Sequence, residues 1–142
     1  MADGKTVALK WYVECDGVDL SKWFRDIHVT SDDDQVDASG FNAEGVDDII
    51  PGKRARSVTG QVIMSRVSGG PHQVLFPLHD GRLEFDIVLR ADSSNPVSAT
   101  NGEWRGQVTM PTWGEGATRG ELEVMDVTFN SVASDPLTYY AT

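Results

Sequence analysis

The sequence predicts a mainly β fold: an antiparallel β-sandwich or barrel with one short flanking α-helix and one long projecting loop. Three observations carry this. About six segments alternate apolar and polar residues with the period of a strand. Glycine, asparagine and proline turn signals separate them. Only Pro71–His79 carries a helical apolar stripe.

Taken in order, Thr6–Glu14 alternates, with Val7, Leu9, Trp11 and Val13 on one face and Tyr12 and Glu14 on the other. Such alternation is the pattern of a half-buried strand. Cys15-Asp16-Gly17 supplies a tight turn, and Asp19–Phe24 a short turn in which Asp19 or Ser21 caps backbone N–H groups. Asp26–Thr30 reads as a second strand, with Ile27 and Val29 inward. Ser57–Val67, rich in β-branched residues, is a third. Ser68-Gly-Gly-Pro71 then opens the helix, since proline suits a first helical position. Val74, Leu75 and Leu78 form its stripe, and Pro77 is expected to stop it after about two turns.

Leu83–Arg90 is the clearest strand in the chain, and Trp104–Met110 another. Loops occupy Ala91–Gly102 and the glycine-rich Pro111–Gly120. In the last strand, Glu121–Phe129, the apolar residues change faces between Val124 and Met125, which predicts a bulge. The C-terminal tail, about 133–142, has apolar residues but no period.

The stretch Ser31–Arg56 fits none of these patterns. It opens on an acidic knot (Asp32, Asp33, Asp34, Asp37), carries the apolar Phe41, Val46, Ile49, Ile50 and Pro51, and closes on Lys53, Arg54 and Arg56. Connections longer than roughly a dozen residues are uncommon in compact domains and are usually functional or disordered. Disordered linkers are poor in large apolar side chains. The expectation is a projecting loop, about residues 38–57, whose apolar residues bury against a second chain or against its own core.

At 142 residues the chain is read as a single domain spanning 1–142. No run of eighteen apolar residues is present, so no membrane span is expected. The polar N-terminus lacks the apolar region of a secretory signal. The single Cys15 rules out an internal disulfide and suits a reducing compartment. Net charge is −10, with 12 acids against 4 bases in residues 1–50 and 10 against 8 in the remainder. Phosphate contacts are made mainly by Lys and Arg, so this balance argues against a nucleic-acid grip.

Catalytic and metal-binding patterns fail in turn. Gly114–Gly120 misses the spacing of a phosphate loop and precedes a strand, whereas a phosphate loop opens a helix. The acidic knot lacks the glycine and the twelfth-position glutamate of a calcium loop. His28, His72 and His79 show no metal-ligand spacing. No serine or cysteine nucleophile stands in a recognisable local signature. The sequence reads as a non-enzyme without a cofactor.

The order of features nonetheless resembles a known family. Asp16-Gly-Val-Asp-Leu-Ser21 precedes Val36-Asp-Ala-Ser-Gly-Phe41, which runs into the long arm. Thr59-Gly60, the helix Pro71–His79, the strand Leu83–Arg90, Asn95-Pro-Val-Ser-Ala-Thr-Asn101 and Val127-Thr-Phe129 follow. Together, over about residues 7–132, they resemble tail tube (major tail) proteins of siphovirus-type bacteriophages. One departure is that Asn101-Gly102-Glu103-Trp104 stands where the family pattern has Asn-Pro and an aromatic residue.

The resemblance implies a structural subunit of the virion, made in the host cytoplasm. Its hexameric rings would stack into a conduit for DNA delivery. Its partners would be itself, the tape-measure protein and transiting DNA in the lumen, and tail terminator and baseplate proteins at the ends. It makes Phe41, Asn42, Val46, Ile49, Ile50, Pro51, Lys53, Arg54 and Arg56 the contact between subunits or rings. It also brings Asp32, Asp33, Asp34 and Asp37 near the bore, a solvated outer face being the other reading. Two alternatives stand beside it. One is a baseplate-hub or head–tail joining subunit. The other is a monomeric carbohydrate-binding sandwich using Trp23, Trp104 or Trp113 as a platform.

Overall fold

The computed structural model describes residues 11–37, 49–98 and 101–141, with the side chains of 34–37 and 49–53 left aside. Its strands are β1 (Tyr12–Cys15), β2 (Val18–Asp19), β3 (Phe24–Asp37), β4 (Ile49–Ile63), β5 (Phe85–Arg90), β6 (Glu103–Thr109), β7 (Val124–Ser131) and β8 (Thr138–Tyr140). A one-turn 3-10 helix, Ser21–Trp23, precedes β3, and helix α1 (Pro71–Asp80) joins β4 to β5. All pairings are antiparallel, in the order β2-β1-β5-β6-β7-β4-β3, with β8 also on β6. The mainly β, single-helix expectation holds.

Period-two alternation decides which face of each strand is buried. Across β1, β5 and β6 the register aligns Val13 with Leu89 and Trp104, and Cys15 with Ile87 and Gly106. Across β3, β4 and β7 it aligns Ile27 with Gly60 and Val127, and Val29 with Val58 and Phe129. Among the described residues these two groups of strands are joined in the sheet by two ladder pairs, Val108–Ser131 and Thr109–Asn130. Their inner faces share one core, and Phe85 meets Phe129 edge to face at 5.7 Å. Edge-to-face geometry is a favoured arrangement for ring quadrupoles.

Several elements differ from expectation. Strand β1 begins at Tyr12, and the expected strand residues 6–10 lie outside the described residues. Cys15 belongs to the strand and is fully buried; the turn is Asp16-Gly17, both with positive φ. Helix α1 runs ten residues, through Pro77. Leu75 and Leu78 are buried on either side of the exposed proline, and Gly81 N–H bonds Pro77 O at 2.9 Å. Burial of the stripe outweighs the lost backbone bond.

The expected bulge at Val124–Met125 is absent, because β7 starts at Val124 and its register with β4 is unbroken to Asn130. Leu122, which confused the alternation, precedes the strand and is exposed. The bulges lie instead in β3–β4, at Phe24–Asp26 and Asp33–Gln35.

The tail is also ordered, without a sequence period. Residues 132–136 fold back beside β6, with Val132 N–H bonded to Gln107 O and Gln107 N–H to Asp135 O. Leu137 is fully buried, and β8 pairs with Glu103–Arg105. Gly106 makes room for this: a Cβ there would stand 2.6 Å from Leu137 Cα.

Gly60 is tight in the same way, since its Cβ would meet Asp26 O at 2.3 Å beside the first bulge. The obstructing atoms are the backbone O and C of Asp26, which cannot swing away as a side chain would. Gly60→Ala is therefore expected to destabilise the fold by about 1–3 kcal/mol. Exposed Thr59 beside it is the control, and Thr59→Ala should shift the urea midpoint much less.

Candidate assembly interface

The stretch that sequence alone reads as a loop is largely a two-stranded ribbon. Residues 49–57 belong to β4, which corrects that part of the expected loop 38–57; residues 38–48, with Phe41, Asn42 and Val46, lie outside the described residues. β3 pairs with β4 from Phe24–Val62 out to Asp37–Ile49. β4 reaches its other neighbour, β7, only from Ser57 to Ile63. Among the described residues the ribbon beyond Ser57 thus has two unpaired edges, and β3 has one along its whole length.

Charge explains why a strand forms where glycine and acid runs argued for a loop. The acidic and basic ends of the stretch face each other, with Asp33 opposite Arg54 and Ser31 opposite Arg56. Arg54 Nε donates to Asp33 Oδ1 at 2.7 Å and Nη2 to Oδ2 at 3.3 Å, a two-pronged pair. Opposite charges facing across strands stabilise a sheet. Gly52 and Lys53 face the lone Asp34 in the second bulge, and Pro51 pairs with Gln35 on a stretch whose other edge is free. Proline is tolerated on such an edge.

The acidic knot is consequently divided. Asp32 and Asp33 are adjacent strand residues and so point to opposite faces. Asp33 is ion-paired, while Asp32 borders a cavity of about 610 Å³ between the ribbon root and the C-terminal tail. For Asp34 and Asp37, and for Ile49, Ile50, Pro51 and Lys53, the structure fixes strand position only.

Arg56 differs from its expected role as an outward contact. Its Nη1 donates to Leu137 O at 2.6 Å, its Nε to Ser31 Oγ at 3.1 Å, and its guanidinium lies 5.1 Å from the Trp104 ring centroid. Sequence reasoning missed this because the partner carbonyl belongs to a tail with no readable period. It missed a second group too, in which half-buried Arg90 and exposed Arg105 both bond the buried Glu103 carboxylate, at 3.0 and 2.7 Å.

The tryptophans offered as a carbohydrate platform are largely engaged internally. Trp113 sits among His72, Phe76 and His79 at 5.1–6.0 Å, and Trp104 lies against Tyr139 and Arg56. His72 bonds Glu115, and His79 Nδ1 lies 2.8 Å from Met110 O, so the two histidines flank a ring. Among the described residues no group of three or more His, Cys, Asp or Glu is placed to hold a metal, and no helix is long and apolar enough to cross a membrane. Burial pushes the Cys15 thiol far up, leaving it protonated and unreactive.

This fold is shared with tail assemblies. One chain in the virion of a native gene transfer agent particle superposes with a TM-score of 0.65 at 12% identity, covering 91% of this chain and 95% of that one. One in the tail of an empty gene transfer agent particle, refined with C6 symmetry, gives 0.60 at 12% identity, covering 82% of each. The SPP1 tail tube subunit gives 0.66 at 9% identity, covering 94% of this chain and 76% of that one. No protein-family model matches the sequence, and no curated protein does. The tail-tube fold inferred from the order of weak motifs is thus the fold the chain has.

Arg54 holds the Asp33 carboxyl below the usual carboxylate range, chiefly through its hydrogen bond; burial opposes this, and the charges of Arg54 and Arg56 add smaller lowering effects. A depressed folded pKa contributes stability above the unfolded value and loses it as pH falls through the folded one. Ribbon amide protection should therefore drop below the ordinary carboxylate range. In Asp33→Asn that drop should vanish. High salt should shrink the wild-type effect, because the pair is exposed. Amide exchange measured from pH 5 downward, about where carboxylate protonation begins to matter, reads all three.

Proposed function

We propose that this chain is the repeating subunit of a phage-type tail tube, closing into hexameric rings that stack into a conduit for DNA. The observation that carries the reading is the ribbon: among the described residues it is paired on one side, unpaired on the other, and continues past the β4–β7 pairing. A two-stranded ribbon alone is marginal in water. Its free backbone groups are a template for another strand, and strand addition by a second copy satisfies them. The shared fold supports a tubular assembly, and the C6 symmetry of one similar tail supports six subunits per ring.

In this reading residues 38–48, with Phe41, Asn42 and Val46, and the strand residues Ile49–Lys53 bridge one subunit to the next. Arg54 and Arg56 shape the ribbon from within. The lumen holds a tape-measure protein before infection and passes DNA during ejection. Terminator and baseplate proteins close the ends, and the protein resides in the virion after synthesis in the host cytoplasm. Asp32 and Asp34, two positions apart in the strand, supply negative charge toward the bore, while Asp33 is balanced by Arg54. Such a wall would repel phosphate over roughly 8 Å at physiological salt, enough for a narrow channel.

Two experiments test this. Ile49→Ser with Ile50→Ser removes about 1.5–3 kcal/mol of burial for each side chain covered in the assembly. The variant should remain folded as a 15.5 kDa monomer by light scattering, where wild type forms tubes under the electron microscope. Tubes of normal length would refute the interface. Asp32→Lys with Asp34→Lys should leave tubes intact and slow DNA ejection from particles, most at low salt, where attraction to phosphate is strongest. Unchanged ejection would place these acids on the outer wall.

A further inference from the structure

We propose that Arg56 is a strut through which the C-terminal segment sets the direction of the β3–β4 ribbon, making it a positioning residue rather than a contact to another copy. Its consequence for assembly rests on the tail-tube reading, whereas the coupling itself stands on contacts within one chain.

Arg56 occupies the root of the ribbon, one residue beyond Ser57, where β4 leaves β7. From there it reaches two ways. Nε holds Ser31 on β3, and Nη1 holds the Leu137 carbonyl on the tail, with the Trp104 ring beneath the guanidinium. The tail end of this link is firm. Leu137 is fully buried, its N–H donates to Ser131 Oγ at 2.9 Å, and its backbone fills the space left by Gly106.

The space between ribbon and tail is otherwise open. The cavity there is lined by Asp32, Arg54, Ala55 and Ser57 from the ribbon side and by Val132 and Pro136 from the tail side, among others. Among the described residues the ribbon buries no apolar side chain at this point, Ala55 being exposed, so the guanidinium fork is what transmits the tail's position to it. Arginine suits the task because its planar fork makes several fixed bonds at once, whereas lysine offers a point charge on a flexible stem.

Amide exchange on the full-length subunit, read by mass spectrometry, tests the strut without requiring assembly. Arg56→Ala should speed exchange over residues 31–37 and 49–56 by about tenfold or more, the weight of a hydrogen bond to a charged group. Amides of β5 and β6 should keep their protection, which shows that the fold survives. Arg56→Lys, which retains charge without the fork, should resemble Arg56→Ala. Ser131→Ala, which loosens the tail without touching the ribbon, should speed the same ribbon amides. Arg56→Ala should then add little to it, as expected for two residues acting through one link.

Unchanged ribbon exchange in Arg56→Ala, or effects of Ser131→Ala and Arg56→Ala that simply add, would overturn the proposal. Loss of tubes with an unaltered ribbon would overturn it too, by making Arg56 a direct contact to a second copy. A loosened ribbon in a variant that still forms tubes at the wild-type concentration would uphold the strut and count against the ribbon as the assembly element. A loosened ribbon that raises the concentration needed for tubes supports both.

Discussion

Strand β4 is hydrogen-bonded on both sides from Ser57 to Ile63 and on one side from Ile49 to Arg56, and this asymmetry governs what the molecule has to manage. Where both sides are paired, Val58 and Val62 are buried and hydrophobic burial holds the register. A one-residue slip there would turn both valines to solvent. Where one side is paired, the described contacts at the ribbon root are polar: Arg54 on Asp33, and Arg56 on Ser31 and Leu137. The ribbon thus changes its stabilising physics halfway along. The Asp33–Arg54 pair there is exposed, and exposed pairs are individually weak, so this part of the ribbon has most to gain from a partner.

What could be read from the sequence divides along the same line. The residues that bury alternate faces of regular strands, such as Phe85, Ile87 and Leu89, announce themselves through period two. So do the turn at Asp16-Gly17 and the proline that opens α1. The ribbon did not, because its signal is a relation between distant residues. An acid run and a base run some twenty positions apart look like two poles of a loop until the antiparallel register lays Asp33 against Arg54. Glycine and proline in β4 then misled further, since a bulge and a free edge accommodate Gly52 and Pro51, which a central strand would reject. The C-terminal segment was illegible for another reason. Its anchor is one leucine in a space that Gly106 creates thirty-one positions earlier, as the residue numbers show. Periodicity has no means of registering a single inserted side chain.

The stretch proposed as the interface therefore has a different form from the loop its composition suggests. Arg54 and Arg56 were grouped with Lys53 by composition, yet their side chains are spent within the subunit. The four aspartates were grouped as one charged surface, yet strand geometry sends Asp32 and Asp33 to opposite faces. A charge run in a strand is two half-runs, and only the half without a partner can act on the surroundings.

That division bears on which partners so long an edge can accept. An unpaired strand invites indiscriminate addition, and natural sheets blunt such edges with charge and bulges. Here β3 carries Arg25, Asp26, His28 and the aspartates along its edge and bulges at two points. Arg54 removes part of that negative charge from one face only. Two copies approaching in an arbitrary register bring acid against acid while the remainder of each chain, at −10 overall, adds to the repulsion. Screening confines this penalty to roughly 8 Å at physiological salt. A copy arriving in a register that pairs backbone groups while keeping the aspartates apart meets only part of it. The acids and bulges thus act as a filter on strand addition, which lets an edge remain open for one geometry and closed to most others.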